Sequence, residues 1–108
     1  MRLRRRTETN SIVNENTVCL AKAADALAHP LRIEIFKYIV LCNKERITVK
    51  NKDLVKAFGY SQATVSQHIN ILKEGGLLTT RALGTSTCYY ANIGSIQKFI
   101  NELSTLGT

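Results

Sequence analysis

The chain has 108 residues and a net charge of +7, placed unevenly: Arg2, Arg4, Arg5 and Arg6 give four, Lys50 to Tyr90 (five basic, two acidic) gives three, and the remaining six basic and six acidic residues cancel. That length holds one small domain, and a small domain gains from a second copy that covers its apolar surface. No apolar run approaches a membrane span, the basic start lacks the apolar stretch of a signal peptide, and three widely spaced cysteines form no disulfide or zinc pattern, so a cytoplasmic protein is expected.

Residues 1–14 are polar and basic and are expected to form a flexible arm; the folded domain is expected over residues 15–106. Glu15 to Ala28 reads as a first helix whose apolar arc holds Cys19, Leu20, Ala23, Ala24 and Leu27. Small residues on that arc allow another helix to approach closely. His29-Pro30 ends it, and Pro30 suits the first turn of the next helix, where a missing N–H costs nothing. Leu31 to Cys42 is that helix, the most apolar of the set, with Leu31, Ile35, Phe36, Ile39 and Val40.

Ile47-Thr48-Val49 is a candidate short strand. Asn51 is placed to cap a third helix, Lys52 to Phe58, with Gly59 at the left-handed turn that ends it. Ser61 then caps a fourth helix that runs to Gly75-Gly76. At 100° per residue, Val65, Ile69, Ile71 and Leu72 fall on one arc together with Thr64 and His68. Gln62, Ala63, Ser66, Gln67, Asn70 and Lys73 fall on the other. An ordinary exposed helix face is rich in Glu and Lys, whereas this one carries short neutral polar groups that can read base edges in a major groove.

Leu77 to Leu83 and Thr87 to Ala91 read as two strands around Gly84-Thr85-Ser86, a hairpin that follows the fourth helix as a wing. Ser95 to Leu106 closes the chain as a helix with an apolar stripe of Ile96, Phe99, Ile100, Leu103 and Leu106. The expected fold class is mainly α with a small β-hairpin wing, a winged helix-turn-helix.

Two segments carry a family resemblance. One is Ala26-Leu27-Ala28-His29-Pro30-Leu31-Arg32-Ile33-Glu34-Ile35; the other runs from Asp53-Leu54 through Ser61–His68 to Gly75-Gly76-Leu77-Leu78. Together with Tyr89-Tyr90 in the wing, they resemble the ArsR family of bacterial winged-helix repressors over residues 15–106. The resemblance implies a homodimer joined by the first and last helices, bound to double-stranded operator DNA and released by an effector. The interface would then hold Leu20, Ala23, Ala24, Leu27, Ile96, Phe99, Ile100 and Leu103. Some family members sense thiophilic metals through a Cys-x-Cys just before Asp-Leu, where this chain has Lys50 and Lys52. Others bind zinc through Asp and His on the last helix, and this chain has neither after His68. No metal or cofactor is expected.

Gln62, Ala63, Ser66 and Gln67 are the expected base readers, since Gln pairs bidentately with adenine and Ala touches a thymine methyl. Ser61, Thr64, Arg81, Thr85 and Ser86 are the expected backbone contacts, which position without specifying. The Arg-rich arm reads either as a further groove contact or as a solvated tail. His29 reads as a turn or cap residue, and His68 as a histidine at the edge of the core with a satisfied ring nitrogen. Cys19, Cys42 and Cys88 read first as small hydrophobes and second as a redox or persulfide switch or a soft-metal site shared across the dimer. A winged-helix module for binding protein is another alternative, and nonspecific nucleic-acid coating a weaker one. No catalytic grouping is visible, so an enzyme is not expected.

Overall fold

A computed structural model describes residues 14–107. The arm carrying Arg2 and Arg4 to Arg6 lies outside the described residues. Helix α1 (Glu15–Ala26) is capped by Asn14, whose Oδ1 accepts the Thr17 N–H at 2.9 Å. The helix stops at Ala26, two residues earlier than expected, and Leu27 is its C-cap. Helix α2 (Pro30–Lys44) starts on the proline itself, capped by His29 Nδ1, which accepts the Leu31 N–H at 3.1 Å. Arg32 closes the corner between them: its Nε donates to the Ala26 carbonyl at 2.7 Å and its Nη2 to that of Asp25 at 3.2 Å.

Ile47–Val49 forms no strand. The chain makes a single antiparallel bridge just after it, Lys50 opposite Cys88, with the Tyr89 N–H donating to the Val49 carbonyl at 2.9 Å. Helix α3 (Asn51–Phe58) follows, and its cap also differs from expectation. Asn51 is the first helical residue, not the cap, and its Nδ2 donates to Ser66 Oγ at 2.9 Å. Asp53 turns its carboxylate back to accept the Lys50 N–H at 2.8 Å, closing the helix start in its place. Gly59 ends α3 at φ 75°, in the left-handed region that favours glycine.

Helix α4 (Gln62–Glu74) has Ser61 as cap, its Oγ accepting the Thr64 N–H at 3.2 Å. Strands β1 (Leu78–Leu83) and β2 (Ser86–Ala91) form the antiparallel hairpin, Leu78 opposite Ala91 and Leu83 opposite Ser86, around the Gly84-Thr85 turn. Helix α5 (Ile93–Ser104) starts two residues earlier than expected, because Asn92 Oδ1 caps it through the Ser95 N–H at 3.2 Å. A single 3₁₀ turn follows at Thr105–Gly107.

The core joins α1 to α4 and the hairpin, with Ile96 and Phe99 of α5 packed partly buried against it. Ala23 and Ala26 of α1, Ile35, Phe36 and Ile39 of α2, Leu54 of α3, Val65, Ile69 and Leu72 of α4, and Leu77, Leu78 and Tyr89 around the hairpin are buried together. Each fully buried aliphatic side chain contributes about 1.5–3 kcal/mol, so α4 is held chiefly by Val65, Ile69 and Leu72. The wing is clamped to α2 by Asn43. Its Oδ1 accepts the Ala91 N–H at 2.8 Å, and its Nδ2 donates to the Tyr89 carbonyl at 3.4 Å.

Candidate nucleic-acid interface

With its buried arc turned inward, α4 presents the opposite face to solvent. Gln62, Ala63, Gln67 and Asn70 are exposed there. Ser66 differs from its neighbours on this face: it is half-buried and accepts the Asn51 bond, so it ties α3 to α4 while its own hydroxyl hydrogen remains able to donate. Ser61 and Thr64 engage each other, Ser61 Oγ lying 3.0 Å from Thr64 Oγ1 at the helix start.

The wing tip stands beside these residues. Thr85 is exposed and Ser86 half-buried, and both line one groove with Gln62 and Ser66. The structure thus brings two of the expected base readers and two of the expected backbone contacts together. Arg81 stands apart from that groove, exposed on β1, with its guanidinium carbon 5.6 Å from the centre of the Tyr90 ring. Such a cation–π contact steadies a long side chain that would otherwise sample many rotamers.

His68 is half-buried on the inner edge of α4, as its arc implied, but without the satisfied nitrogen expected of it. Its Nδ1 is buried with no hydrogen-bond partner among the described residues. Its ring lies 5.2 Å from that of His29, the planes at 49°. Burial, then the charges of His29 and Arg32, pull its pKa below the ordinary 6.5. The unfolded chain therefore takes up this proton at a higher pH than the folded one, and stability rises with pH across that interval. We expect the urea midpoint to fall as pH drops below about 6.5 and the fall to be blunted in His68→Asn. Equal midpoint-against-pH profiles for the two proteins would remove His68 from this role.

The three thiols stand on different elements. Cys19 is exposed on α1, Cys42 half-buried on α2 and Cys88 buried on β2, and none is disulfide-bonded. Tyr38, one turn before Cys42, has its phenol pushed above 10.0, first by burial and then by Cys42. Among the described residues no group of three or more His, Cys, Asp or Glu could hold a metal ion.

Of the eight side chains expected at a dimer interface, Ala23 is buried, and Leu27, Ile96 and Phe99 pack partly on the core of the same chain. Leu20 is half-buried, while Ala24, Ile100 and Leu103 are exposed.

Three features escaped the sequence reading. The Asn43 clamp joins residues 46 and 48 positions apart. The Arg32 corner looks in sequence like one more surface charge, although the His-Pro-Leu-Arg run marks its place. Lys50 and Lys52 entered that reading as part of the basic excess from Lys50 to Tyr90 and as residues unable to bind metal, but not as members of a site, yet both line the groove beside the wing.

Comparison with known proteins agrees with this geometry. Residues 27–81, just over half of the chain, match the model of the helix-turn-helix domain family. No curated protein matches significantly. Among solved structures, the chain is similar to an ArsR-like transcriptional regulator from Rhodococcus sp. RHA1 (23% identity, 83% of this chain and 80% of that one, TM-score 0.71). It is similar as well to a homodimeric winged helix-turn-helix DNA-binding domain from Mycobacterium bovis (19%, 99% and 89%, 0.65). A third is the transcriptional regulator HlyU from Vibrio vulnificus CMCP6 (25%, 94% and 95%, 0.59). The matched segment contains both helices of the motif and the first four residues of β1, so the chain belongs to the helix-turn-helix domain family and has the winged-helix fold of ArsR-type regulators.

Proposed function

We propose that this chain is a homodimeric, sequence-specific regulator of transcription that binds operator DNA in the cytoplasm, represses, and is released by an effector. Its family and fold are those of DNA-binding transcription regulators and not of enzymes. The observation that carries the reading is the solvent face of α4. Gln62, Ala63 and Gln67 are exposed on the first two turns, free of charge, next to a wing tip of hydroxyl side chains. A first turn of this kind enters the major groove, and two copies would meet half-sites about one DNA turn apart. The described residues hold no helix able to cross a membrane.

Fluorescence anisotropy on a duplex from the gene's own upstream region, against a scrambled duplex, tests the reading. Gln67→Ala should cost about 1–3 kcal/mol on the native duplex and leave the scrambled one nearly unchanged, because a lost base contact acts only where its base is present. Equal losses on both duplexes would make Gln67 a backbone contact. Wild-type protein that does not distinguish the duplexes would favour a protein-binding module or a nonspecific DNA coat.

A further inference from the structure

We propose that the groove between the start of α3, the first turns of α4 and the wing tip seats a phosphate of the DNA backbone, held by Lys50 and Lys52. The proposal rests on the DNA-binding reading above and adds to it a pair of cations at the start of α3. The groove has a volume of about 360 Å³. Lys50 and Lys52 form one wall, Gln62 and Ser66 face it from α4, and Thr85 and Thr87 close it from the wing.

Its chemistry is that of an anion seat. Ammonium groups and hydroxyls are donors that a phosphate can use together, and no carboxylate is among the lining residues. The acidic residue of the same helix start, Asp53, has its carboxylate turned onto the Lys50 N–H at 2.8 Å. Among the described residues neither lysine's ammonium has a carboxylate partner, so neither charge is already neutralised within the fold. Ser66 accepts from Asn51, which leaves its own hydrogen for an outward bond.

Placement decides what kind of phosphate the seat takes. Gln62 lines this groove and also stands on the base-reading face, so an anion held here lies beside the edge that Gln62 would read. A duplex entering along α4 therefore brings its backbone into the seat, and the two lysines set the register at which Gln62 and Gln67 meet bases. The fold itself makes the seat. The Lys50–Cys88 bridge fixes the segment entering α3 against β2, so the lysine wall and the wing wall keep their spacing.

Salt titration reads the seat directly, because each neutralised phosphate adds about 0.9 to the slope of log affinity against log salt. Anisotropy titrations would compare wild type, Lys52→Gln and Lys50→Gln/Lys52→Gln on the upstream and scrambled duplexes. Lys44→Gln, on the exposed end of α2, controls for the loss of one charge. The slope should shrink by about 0.9 per lysine per bound protomer, on both duplexes, with the preference between duplexes little changed. Urea midpoints and helical circular dichroism close to wild type would show that the variants fold, and Lys52, exposed at the helix start, gives a single-site variant that does not disturb packing. An unchanged slope in folded Lys52→Gln and the double variant, or an equal drop in Lys44→Gln, overturns the proposal. Should wild type fail to prefer the upstream duplex, the sequence-specific reading falls, while the slopes on scrambled DNA still decide the seat.

Discussion

Ile100→Asp combined with Leu103→Asp is expected to give a folded monomer whose operator affinity is lower by about 100-fold or more. The two side chains are 49% and 47% exposed, on a helix whose inner residues Ile96 and Phe99 already pack on the core. The stripe continues into Leu106, which is 70% exposed, and Val18 of α1 is 41% exposed. Scattered apolar residues on a surface need no explanation, but a continuous stripe along one helix marks a surface made to be covered. A second copy is the occupant proposed, since each protomer presents a single α4. With two linked reading heads the second half-site is bound intramolecularly, and a monomer forfeits that gain. Aspartates at outward positions leave the core unchanged, so the melting transition of each chain should survive. Light scattering after size exclusion reports the mass and anisotropy the affinity. A dimer that persists, or a monomer that binds as tightly as wild type, would remove these two residues from the interface.

The parts of this molecule that could be read from sequence are those whose cause is local. Ser61 caps a helix through an amide three residues on, and the alternation of Val65, Ile69 and Leu72 with Gln62, Ser66 and Gln67 fixes which face is buried within the same four turns. The His29-Pro30 corner is equally local. Where two local signals competed, sequence alone chose wrongly. Asn51 is a good cap by type, but Asp53 reached the Lys50 amide and left Asn51 inside the helix, facing Ser66. Ile47-Thr48-Val49 has the composition of a strand, but its neighbour β2 pairs with β1, and Ile47 remains 55% exposed. His68 was placed on the correct arc, yet its environment depends on His29, brought near by the packing of α2 on α4 and not by any spacing in the chain. The groove of Lys50 and Lys52 was illegible for the same reason. It exists only once the wing folds back to the start of α3.

Gly75→Ala should destabilise the protein by about 1–3 kcal/mol although its backbone is ordinary for any residue. Gly75 has φ −76°, so alanine there meets no conformational penalty, and by restricting the unfolded chain it would on its own stabilise by about 0.4–1 kcal/mol. Space decides against it. A Cβ at Gly75 would lie 2.6 Å from the Ala26 Cβ and 3.1 Å from the Lys22 carbonyl oxygen. The methyl of Ala26 is fully buried and the carbonyl belongs to a helix, so neither can turn aside, and α1 must move away from the end of α4. Overpacking of that kind outweighs the entropic gain. A double-mutant cycle separates the two effects. Ala26→Gly, at the last residue of α1, removes the obstructing methyl, and the Ala26→Gly/Gly75→Ala protein should be more stable than the two single losses added together. Strict additivity in urea denaturation would mean that the contact is not the cause. The same contact sets how α4 stands relative to α1. Gly75→Ala should therefore weaken operator binding at temperatures where the protein is still fully folded, and the Ala26→Gly partner change should restore it.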